Sequence, residues 1–179
     1  HVDIKSFLGT IADQRTDTIF KAFTKTLQDS GLELLNSTLF LSKYMPAEGA
    51  LAERPPTKEE EKDIEFGFKI AKHLSGMDIG QSACVKNGII LAVESIEGTD
   101  NNFKRAVKMC RTSVVLVKVS KPMQDMRFDV PVVGLKTIKR LPKGSCLAIE
   151  AGKTLFLDQR EAIRLADRKG IAISAVKLS

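Results

Sequence analysis

The sequence predicts an α/β fold in which a mixed sheet is flanked by helices. Apolar, β-branched runs typical of buried strands alternate along the chain with segments in which apolar residues recur every three or four positions. An Asn-Gly pair between two apolar runs predicts a hairpin, which places antiparallel strands beside the parallel ones. The chain has 179 residues, of which 43% are apolar, so it can bury one good-sized core without a disulfide or a structural metal.

The first third of the chain contains two predicted helices. Residues 17–29 carry apolar side chains at helical spacing, and a glycine soon follows as a helix-ending signal. A short apolar run at 32–35 predicts a strand. Thr57, with Glu60 three positions later, predicts a capping box that opens a second helix, which runs to about His73.

The rest of the chain interleaves strands with helices. Asn87-Gly88 lies between two β-branched runs within residues 82–95, which is the strongest short hairpin signal. The elements predicted after the hairpin are a helix at 101–110, strands at 113–119, 147–150 and 154–157, a helix at 159–169 begun by Asp158 and ended by Gly170, and a last strand at 171–176. This interleaving predicts a sheet with several parallel strands.

Charge and composition restrict the classes of partner. The net charge is +6, which permits phosphates, nucleic acid or acidic lipid surfaces. The basic residues are spread along the chain, and there is no Trp and one Tyr, so we expect no nucleic-acid partner. Cys84, Cys110 and Cys146 lack zinc-ligand spacing and are expected as free thiols in a reducing cytosol. No apolar run approaches the length of a membrane span.

Three polar stretches directly precede or follow predicted strands. They are Asp78–Gln81, Glu94–Asp100 and Lys118–Pro131. In open α/β sheets ligands bind at the carboxyl ends of the strands, so these stretches are the candidates for a site. The sequence has no Ser/His/Asp arrangement, GxxxxGKS/T loop or GxGxxG turn, which argues against nucleotide-triphosphate and dinucleotide sites.

The second stretch places three carboxylates, Glu94, Glu97 and Asp100, around a glycine where a helix is predicted to begin. Clustered carboxylates favour a hard divalent cation, and the N–H groups of a helix start favour a phosphate oxygen. The same pattern also fits an ordinary helix start, capped by Thr99 or Asp100, with the glutamates in solvent.

The third stretch mixes both signs of charge. Lys118, Lys121 and Arg127 could clamp phosphate oxygens, and Asp125 and Asp129 could bind a metal or position a water. A loop with internal salt bridges explains the same residues equally well.

The sequence closely resembles the LpxI-type UDP-2,3-diacylglucosamine pyrophosphatases in six ordered runs. These are Pro46–Gly67 (PAEGAL…PPTKEEEKDIEFG), Asp78–Gln81 (DIGQ), Leu91–Asp100 (LAVESIEGTD), Val115–Gly134 (VLVKVSKPMQDMRFDVPVVG), Ala148–Asp158 (AIEAGKTLFLD) and Ala166–Ile171 (ADRKGI). The resemblance therefore covers residues 46–173. It departs from the family at Asn101–Lys104, where an acidic or small residue and then an aliphatic one are usual, although Arg105 is retained. This departure implies a different shape for the acyl or glucosamine site.

The resemblance implies an activity and a domain organisation. The activity is Mg²⁺-dependent hydrolysis of UDP-2,3-diacylglucosamine to UMP and 2,3-diacylglucosamine 1-phosphate, in the lipid A branch of Gram-negative envelope synthesis. Residues 1–45 would be a small helix/strand remnant of an N-terminal domain, 46–56 a linker and 57–179 the C-terminal catalytic α/β domain. The chain begins at His1 rather than Met, so we expect it to be part of a longer protein.

The site residues nominated in this way fall into two groups. The candidate catalytic groups, which are also the candidate Mg²⁺ ligands, are Glu97, Asp100, Asp125 and Asp129. The candidate substrate-binding residues are Gln81, Thr99, Arg105, Lys118, Lys121 and Arg127. A diacylated substrate implies a cytoplasmic protein with peripheral contact to the inner membrane through that lipid.

Two other classes of function stay open at this point. One is a non-catalytic nucleotide-sugar or lipid-binding module, in which the carboxylates only cap helices. The other is a basic nucleic-acid-binding domain, which the scarcity of aromatic residues disfavours. We expect the chain to fold alone and to need the missing N-terminal domain for activity. Its exposed interface, a candidate surface for a homodimer, should include Phe20, Phe23, Leu39 and Phe40.

Overall fold

The structure is a computed structural model that describes residues 16–177, with the backbone alone at 16 and 17. The chain divides into two compact units. Of the described residues, the smaller comprises 16–40 together with Asp125–Asp129, and the larger comprises Leu41–Gln124 and 130–177. In the described part of the chain, no helix is long and apolar enough to cross a membrane.

The smaller unit is built on helix α1 (Thr16–Asp29), whose bounds confirm the predicted helix. Gly31 has a φ of 77° and ends it, with the Leu32 N–H donating to the carbonyl of Leu27. Phe20 of α1 stacks on Phe128 with ring centroids 4.4 Å apart. The strand predicted at 32–35 is wrong, because this exposed loop pairs with no strand among residues 16–177, and an unpaired strand is not stable.

The larger unit contains a six-stranded mixed sheet, which confirms the predicted fold class. Its strands are β1 (Gly49–Ala50), β2 (Ser82–Lys86), β3 (Ile89–Val93), β4 (Val115–Lys118), β6 (Cys146–Glu150) and β8 (Ala172–Val176), in the order β1-β8-β6-β4-β2-β3. Strands β4, β6 and β8 are parallel, whereas β1, β2 and the β2–β3 hairpin pair antiparallel. A separate parallel pair joins β5 (Val132–Val133) to β7 (Leu155–Phe156).

Helices cover both faces of the sheet. Helix α2 (Lys58–Gly76) packs Ile64, Phe68 and Ala71 against one face. Helices α3 (Thr99–Cys110), α4 (Leu135–Arg140) and α5 (Gln159–Lys169) pack against the other. The predicted capping box of α2 is confirmed, because Thr57 accepts from the Glu60 N–H and Glu60 accepts from the Thr57 N–H.

The hairpin is also as predicted. Asn87 and Gly88 have φ angles of 51° and 75°, which the tight two-residue turn requires. The buried carboxylate of Asp63 in α2 accepts from both turn N–H groups at 2.8 and 2.7 Å. The hairpin is therefore held against α2 as well as by its own ladder.

The topology brings the polar stretches to one edge. Strand β3 is antiparallel to β2, and β2 is antiparallel to β4, so β3, β4 and β6 all end at the same edge of the sheet. Glu94 follows β3, Lys118 ends β4 and Glu150 ends β6. Three short elements, β1, β5 and α4, lie outside the sequence predictions, because two to six residues carry too little periodicity to be recognised.

Candidate functional site

A cleft of about 590 Å³ opens at the carboxyl edge of the sheet. Its walls come from the start of α3, the end of β4, β5 with the start of α4, and the chain between β7 and α5. The lining residues are Glu97, Gly98, Thr99, Asp100, Asn101, Lys104, Lys118, Val132, Val133, Gly134, Leu135, Lys136, Thr137, Leu157 and Asp158. Three candidate residues of one polar stretch therefore meet Lys118 in a single concavity.

The start of α3 gives the cleft an electropositive wall. Gly98 precedes the helix with a φ of 79°, and a glycine has no side chain to cap the first-turn N–H groups. The N-terminus of a helix carries a partial positive charge, so this wall favours a phosphate oxygen. Lys104, Lys118 and Lys136 add full positive charges to the lining. The Lys118 ammonium donates to the carbonyl of Val132 at 3.0 Å, which fixes its position across the cleft.

The carboxylates at the start of α3 are each held by a neighbouring donor. The Thr99 hydroxyl lies 3.0 and 3.1 Å from the two carboxylate oxygens of Glu94. Glu97 is ion-paired with Arg105 of the same helix. Asp100 is ion-paired with Arg140 of α4, and the Lys136 ammonium lies 3.9 Å away. Glu97 and Asp100 are therefore each paired with a cation, whereas Glu94 accepts from a hydroxyl.

The first polar stretch lies against the other two. A Cβ added at Gly80 would come within 2.2 Å of the Glu94 carbonyl oxygen, so only a glycine permits this approach. Asp78, one turn earlier, is ion-paired at 2.6 Å with Lys121, whose side chain is largely buried. Gln81, directly before β2, accepts from the Val119 N–H through its carbonyl at 2.9 Å. All three stretches thus contribute backbone or side chains at this edge.

Glu150 organises the interior of the same edge. It is 5% exposed, and one of its oxygens accepts from the Ser120 N–H at 2.8 Å and from the Ser120 hydroxyl at 2.7 Å. Lys72 of α2 lies 2.8 Å from the same oxygen, and Lys153 lies 3.1 Å from the other. Burial by itself raises the pKa of Glu150, but the hydrogen bonds from Lys72 and Ser120 outweigh it and the pKa is lowered. The group is therefore a carboxylate that ties the loop after β4 to β6 and α2.

Three further candidates, Asp125, Arg127 and Asp129, belong to the smaller unit. Asp125 accepts from the Arg127 guanidinium at 2.6 to 3.1 Å and from the Arg127 N–H at 3.0 Å. The hydrogen bonds from the Arg127 side chain lower the pKa of Asp125. Asp129 is exposed and has a φ of 47°, a left-handed conformation that Asp and Asn tolerate better than other side chains.

Comparison with known proteins identifies the family. The family profile of the LpxI C-terminal domain matches residues 47–174. The UDP-2,3-diacylglucosamine pyrophosphatase LpxI of Caulobacter vibrioides is 30% identical over 170 residues, which cover 89% of this chain. The chain belongs to the LpxI family. The resemblance predicted from the polar runs is thereby confirmed.

The matched region covers only part of the curated LpxI protein. The alignment spans 61% of the Caulobacter vibrioides protein, so this chain represents about three fifths of the length of that LpxI relative. The profile match includes the cleft lining, Gly80, Lys121 and Glu150. The site described above therefore lies wholly within the LpxI C-terminal domain.

The nominated metal ligands do not form a ready cation site by themselves. Among residues 16–177, no group of three or more His, Cys, Asp or Glu side chains is close enough together to hold a metal ion. Arg105 and Arg140 already neutralise Glu97 and Asp100. The present arrangement does not fit a resident ion, and Mg²⁺ as the cofactor stays a prediction.

Several contributors to the site were missed in the sequence. Lys104 and Lys136 line the cleft, Arg140 pairs with Asp100, and Glu150 holds the loop after β4. Lys136 and Arg140 lie on the short helix α4, which carries no strong periodic signal. Glu150 ends an apolar strand, as Glu94 follows one, and this shared position was the available signal.

Proposed function

We propose that this chain is the diphosphate-binding part of an LpxI enzyme that hydrolyses UDP-2,3-diacylglucosamine to UMP and 2,3-diacylglucosamine 1-phosphate in lipid A biosynthesis. The observation that carries the proposal is the cleft at the start of α3, where helix N–H groups and three lysines meet three carboxylates within a domain of this family. The Caulobacter vibrioides relative is a UDP-2,3-diacylglucosamine pyrophosphatase, which supports the choice of substrate.

The residues divide the work of the reaction between charge neutralisation and water positioning. Lys118 and the first N–H groups of α3 hold phosphoryl oxygens, with Thr99 and Arg105 as further donors. Fixed donors of this kind stabilise charge as it develops on the diphosphate. Glu97 or Asp100 accepts a proton from the attacking water. The salt bridges to Arg105 and Arg140 hold both carboxylates in position at the start of α3.

Mg²⁺ is proposed to enter with the substrate. Magnesium is usually held by one or two carboxylates together with substrate phosphates, so a complete protein cage is not required. Glu97 and Asp100 are the candidate ligands in the cleft. Asp125 and Asp129, nominated as ligands or as the base, belong to the smaller unit and stay predictions, as do the substrate contacts of Gln81, Lys121 and Arg127.

The remaining proposals concern the setting of the enzyme. A second domain, preceding this region in the longer protein, is proposed to supply the other wall of the substrate site. The diacylated substrate implies work in the cytoplasm at the surface of the inner membrane. A homodimer is proposed only through the exposed apolar side chains of the smaller unit, among them Phe23, Leu39 and Phe40.

The deciding experiment is incubation of the full-length protein with UDP-2,3-diacylglucosamine, with and without Mg²⁺, followed by detection of UMP. We expect Mg²⁺-dependent release of UMP, and we expect Lys118→Ala to lower it at least about 100-fold, the scale of a lost transition-state donor. Lys86→Ala is the matched control, because Lys86 also ends a strand and donates to a backbone carbonyl, at the opposite edge of the sheet. Tight uridine-nucleotide binding without turnover would instead favour the non-catalytic binding module.

A further inference from the structure

The three helices on one face of the sheet carry a large excess of basic over acidic residues. Helices α3, α4 and α5 contain ten Lys or Arg residues and three Asp or Glu residues. Their excess of positive charge is larger than the net charge of the whole chain, which is +6. Helix α2, on the opposite face, contains four Lys and five Asp or Glu. The two faces of the sheet in the larger unit therefore differ in charge.

The basic residues of this face point outward. Helices α3, α4 and α5 pack their apolar sides into one cluster, through Phe103, Ile138 and Ala162. The side chains on their outer sides are exposed: Lys104 and Lys108 of α3, Lys136 and Lys139 of α4, and Arg160, Arg164 and Arg168 of α5. We call this surface of α3, α4 and α5 the basic face. Since Lys104 and Lys136 also line the cleft, the basic face is continuous with its rim.

Exposed apolar side chains lie among these charges. Met109 of α3 is 64% exposed, and Ile96, in the turn before α3, is fully exposed. Leu157, which lines the cleft, is 41% exposed. Basic side chains interspersed with apolar tips are the composition of surfaces that rest on a membrane interface.

We propose that the basic face is a docking surface for an anionic lipid bilayer and that it sets the cleft against the headgroups. Anionic lipids attract clusters of Lys and Arg, and the apolar tips enter the headgroup region. The proposal rests in part on the proposed function, because a diacylated substrate is held in a bilayer and must reach the cleft from it.

Other occupants fit this face less well. The cores of protein–protein interfaces are depleted of charged residues, which disfavours a second copy of the chain. Nucleic acid would use aromatic side chains for stacking, and the one aromatic residue within these three helices, Phe103, is buried. A lipid surface uses both the charges and the apolar tips.

Vesicle sedimentation of the full chain tests the proposal without substrate or Mg²⁺. We expect binding to phosphatidylcholine vesicles that contain phosphatidylglycerol, little binding to pure phosphatidylcholine, and a steep loss with added salt. The double variant Lys108→Glu with Arg164→Glu should weaken binding at least about tenfold, since each basic group near an anionic surface contributes about fivefold. Neither residue lines the cleft.

The matched control is Lys58→Glu with Lys69→Glu on α2, which changes the net charge equally and alters exposed side chains on the other face. Its affinity for the vesicles should stay within about twofold of that of the unsubstituted protein if the basic face, and not the net charge, determines binding. Equal weakening by both variants, no binding to anionic vesicles, or preferential binding to an oligonucleotide would each overturn the proposal. UMP release from detergent-dispersed substrate, which requires no bilayer, is measured separately. The docking proposal can therefore fail while the proposed activity is still observed.

Discussion

Glu150 shows how one side chain can serve both stability and the geometry of the site. Its buried carboxylate accepts from Lys72 and Ser120. Burial raises the pKa of this carboxyl, but these hydrogen bonds lower it by more, so the pKa lies below its ordinary value. Because the folded pKa lies below the ordinary value of 4.5, the stabilisation is complete above that pH. It is lost as the pH falls through the lowered pKa of the folded state.

We therefore expect Glu150→Gln to lower the free energy of unfolding by about 1.5–3 kcal/mol at neutral pH, as for hydrogen bonds to charged groups. The difference in the free energy of unfolding between the unsubstituted protein and the variant should become smaller as the pH falls below 4.5. Urea unfolding at a series of pH values measures both. Glu65→Gln is the control, because Glu65 pairs with Lys69 at an exposed site and should change little. A difference in the free energy of unfolding that is the same at all pH values would contradict the stabilising role of the Glu150 carboxylate.

Asp129 combines an unusual backbone with a proposed chemical role. Its φ of 47° would strain alanine, whereas asparagine tolerates the left-handed region. Asp129→Asn thus removes the charge and keeps the backbone. We expect it to slow UMP release by the longer protein at least about 100-fold, the scale of a lost general base, without lowering Tm. Asp29→Asn, in the same unit, should be neutral. Activity within a few-fold of the parent would remove Asp129 from the mechanism.

The cysteines should differ sharply in reactivity. Burial raises the pKa of the Cys84 thiol to about 12 and raises that of Cys146 further, and the thiolate is the reactive form. Cys110, at the end of α3, is partly exposed. Maleimide labelling followed by mass spectrometry should add one label to the native chain, and Cys110→Ser should abolish it. Rapid labelling of all three thiols in folded protein would show that Cys84 and Cys146 are not buried in the sheet as described.

At the scale of elements, helix α2 is held unusually close to the sheet at Gly67. A Cβ there would lie 2.7 and 2.8 Å from methyl carbons of Val85 and Val117. Gly76, in the same helix, has only Pro122 nearby, at 3.5 Å. The two glycines share a helical backbone and differ in the space around them.

Gly67→Ala should destabilise the protein by about 1–3 kcal/mol, because overpacking forces β2 and β4 away from α2. Gly76→Ala should be neutral or stabilise slightly, since alanine favours helix. Thermal and urea unfolding measure the difference. Equal effects of the two substitutions would mean that α2 does not approach the sheet as closely as the structure shows.

Elements with strong local signals were predicted well. The α2 capping box and the Asn87-Gly88 turn each depend on residues within a few positions of one another, so the sequence contains the whole cause. Helix α4 was missed because its six residues are stabilised by burying Ile138 rather than by their own periodicity. The segment at 32–35 shows the opposite error, since it has the residues of a strand but pairs with no strand in the described part of the chain.

At the scale of the whole molecule, the size of the cleft bears on activity. About 590 Å³ suits a drug-sized ligand, and a diacylated nucleotide sugar is larger. The chain also spans 61% of the length of the Caulobacter vibrioides relative. The proposed second domain would supply another wall and so complete the proposed substrate site.

We therefore expect this chain alone to fold cooperatively and to release UMP at least about 100-fold more slowly than the longer protein, as for a misplaced substrate. The two are compared at equal concentration with Mg²⁺ present, and circular dichroism confirms folding of the shorter chain. A rate comparable with that of the longer protein would show that the C-terminal domain is sufficient.

The sequence by itself determined the fold class, most elements and the three polar stretches, because strand pattern, caps and tight turns are local properties. It also carried the ordered runs that identify the family. Only the tertiary structure decided which charges meet. Ion pairs form between residues that are far apart in the chain: Asp100 with Arg140, Asp78 with Lys121, and Glu150 with Lys72. These pairings follow from strand order and helix packing, and long-range contacts of this kind leave no periodic trace in a single sequence.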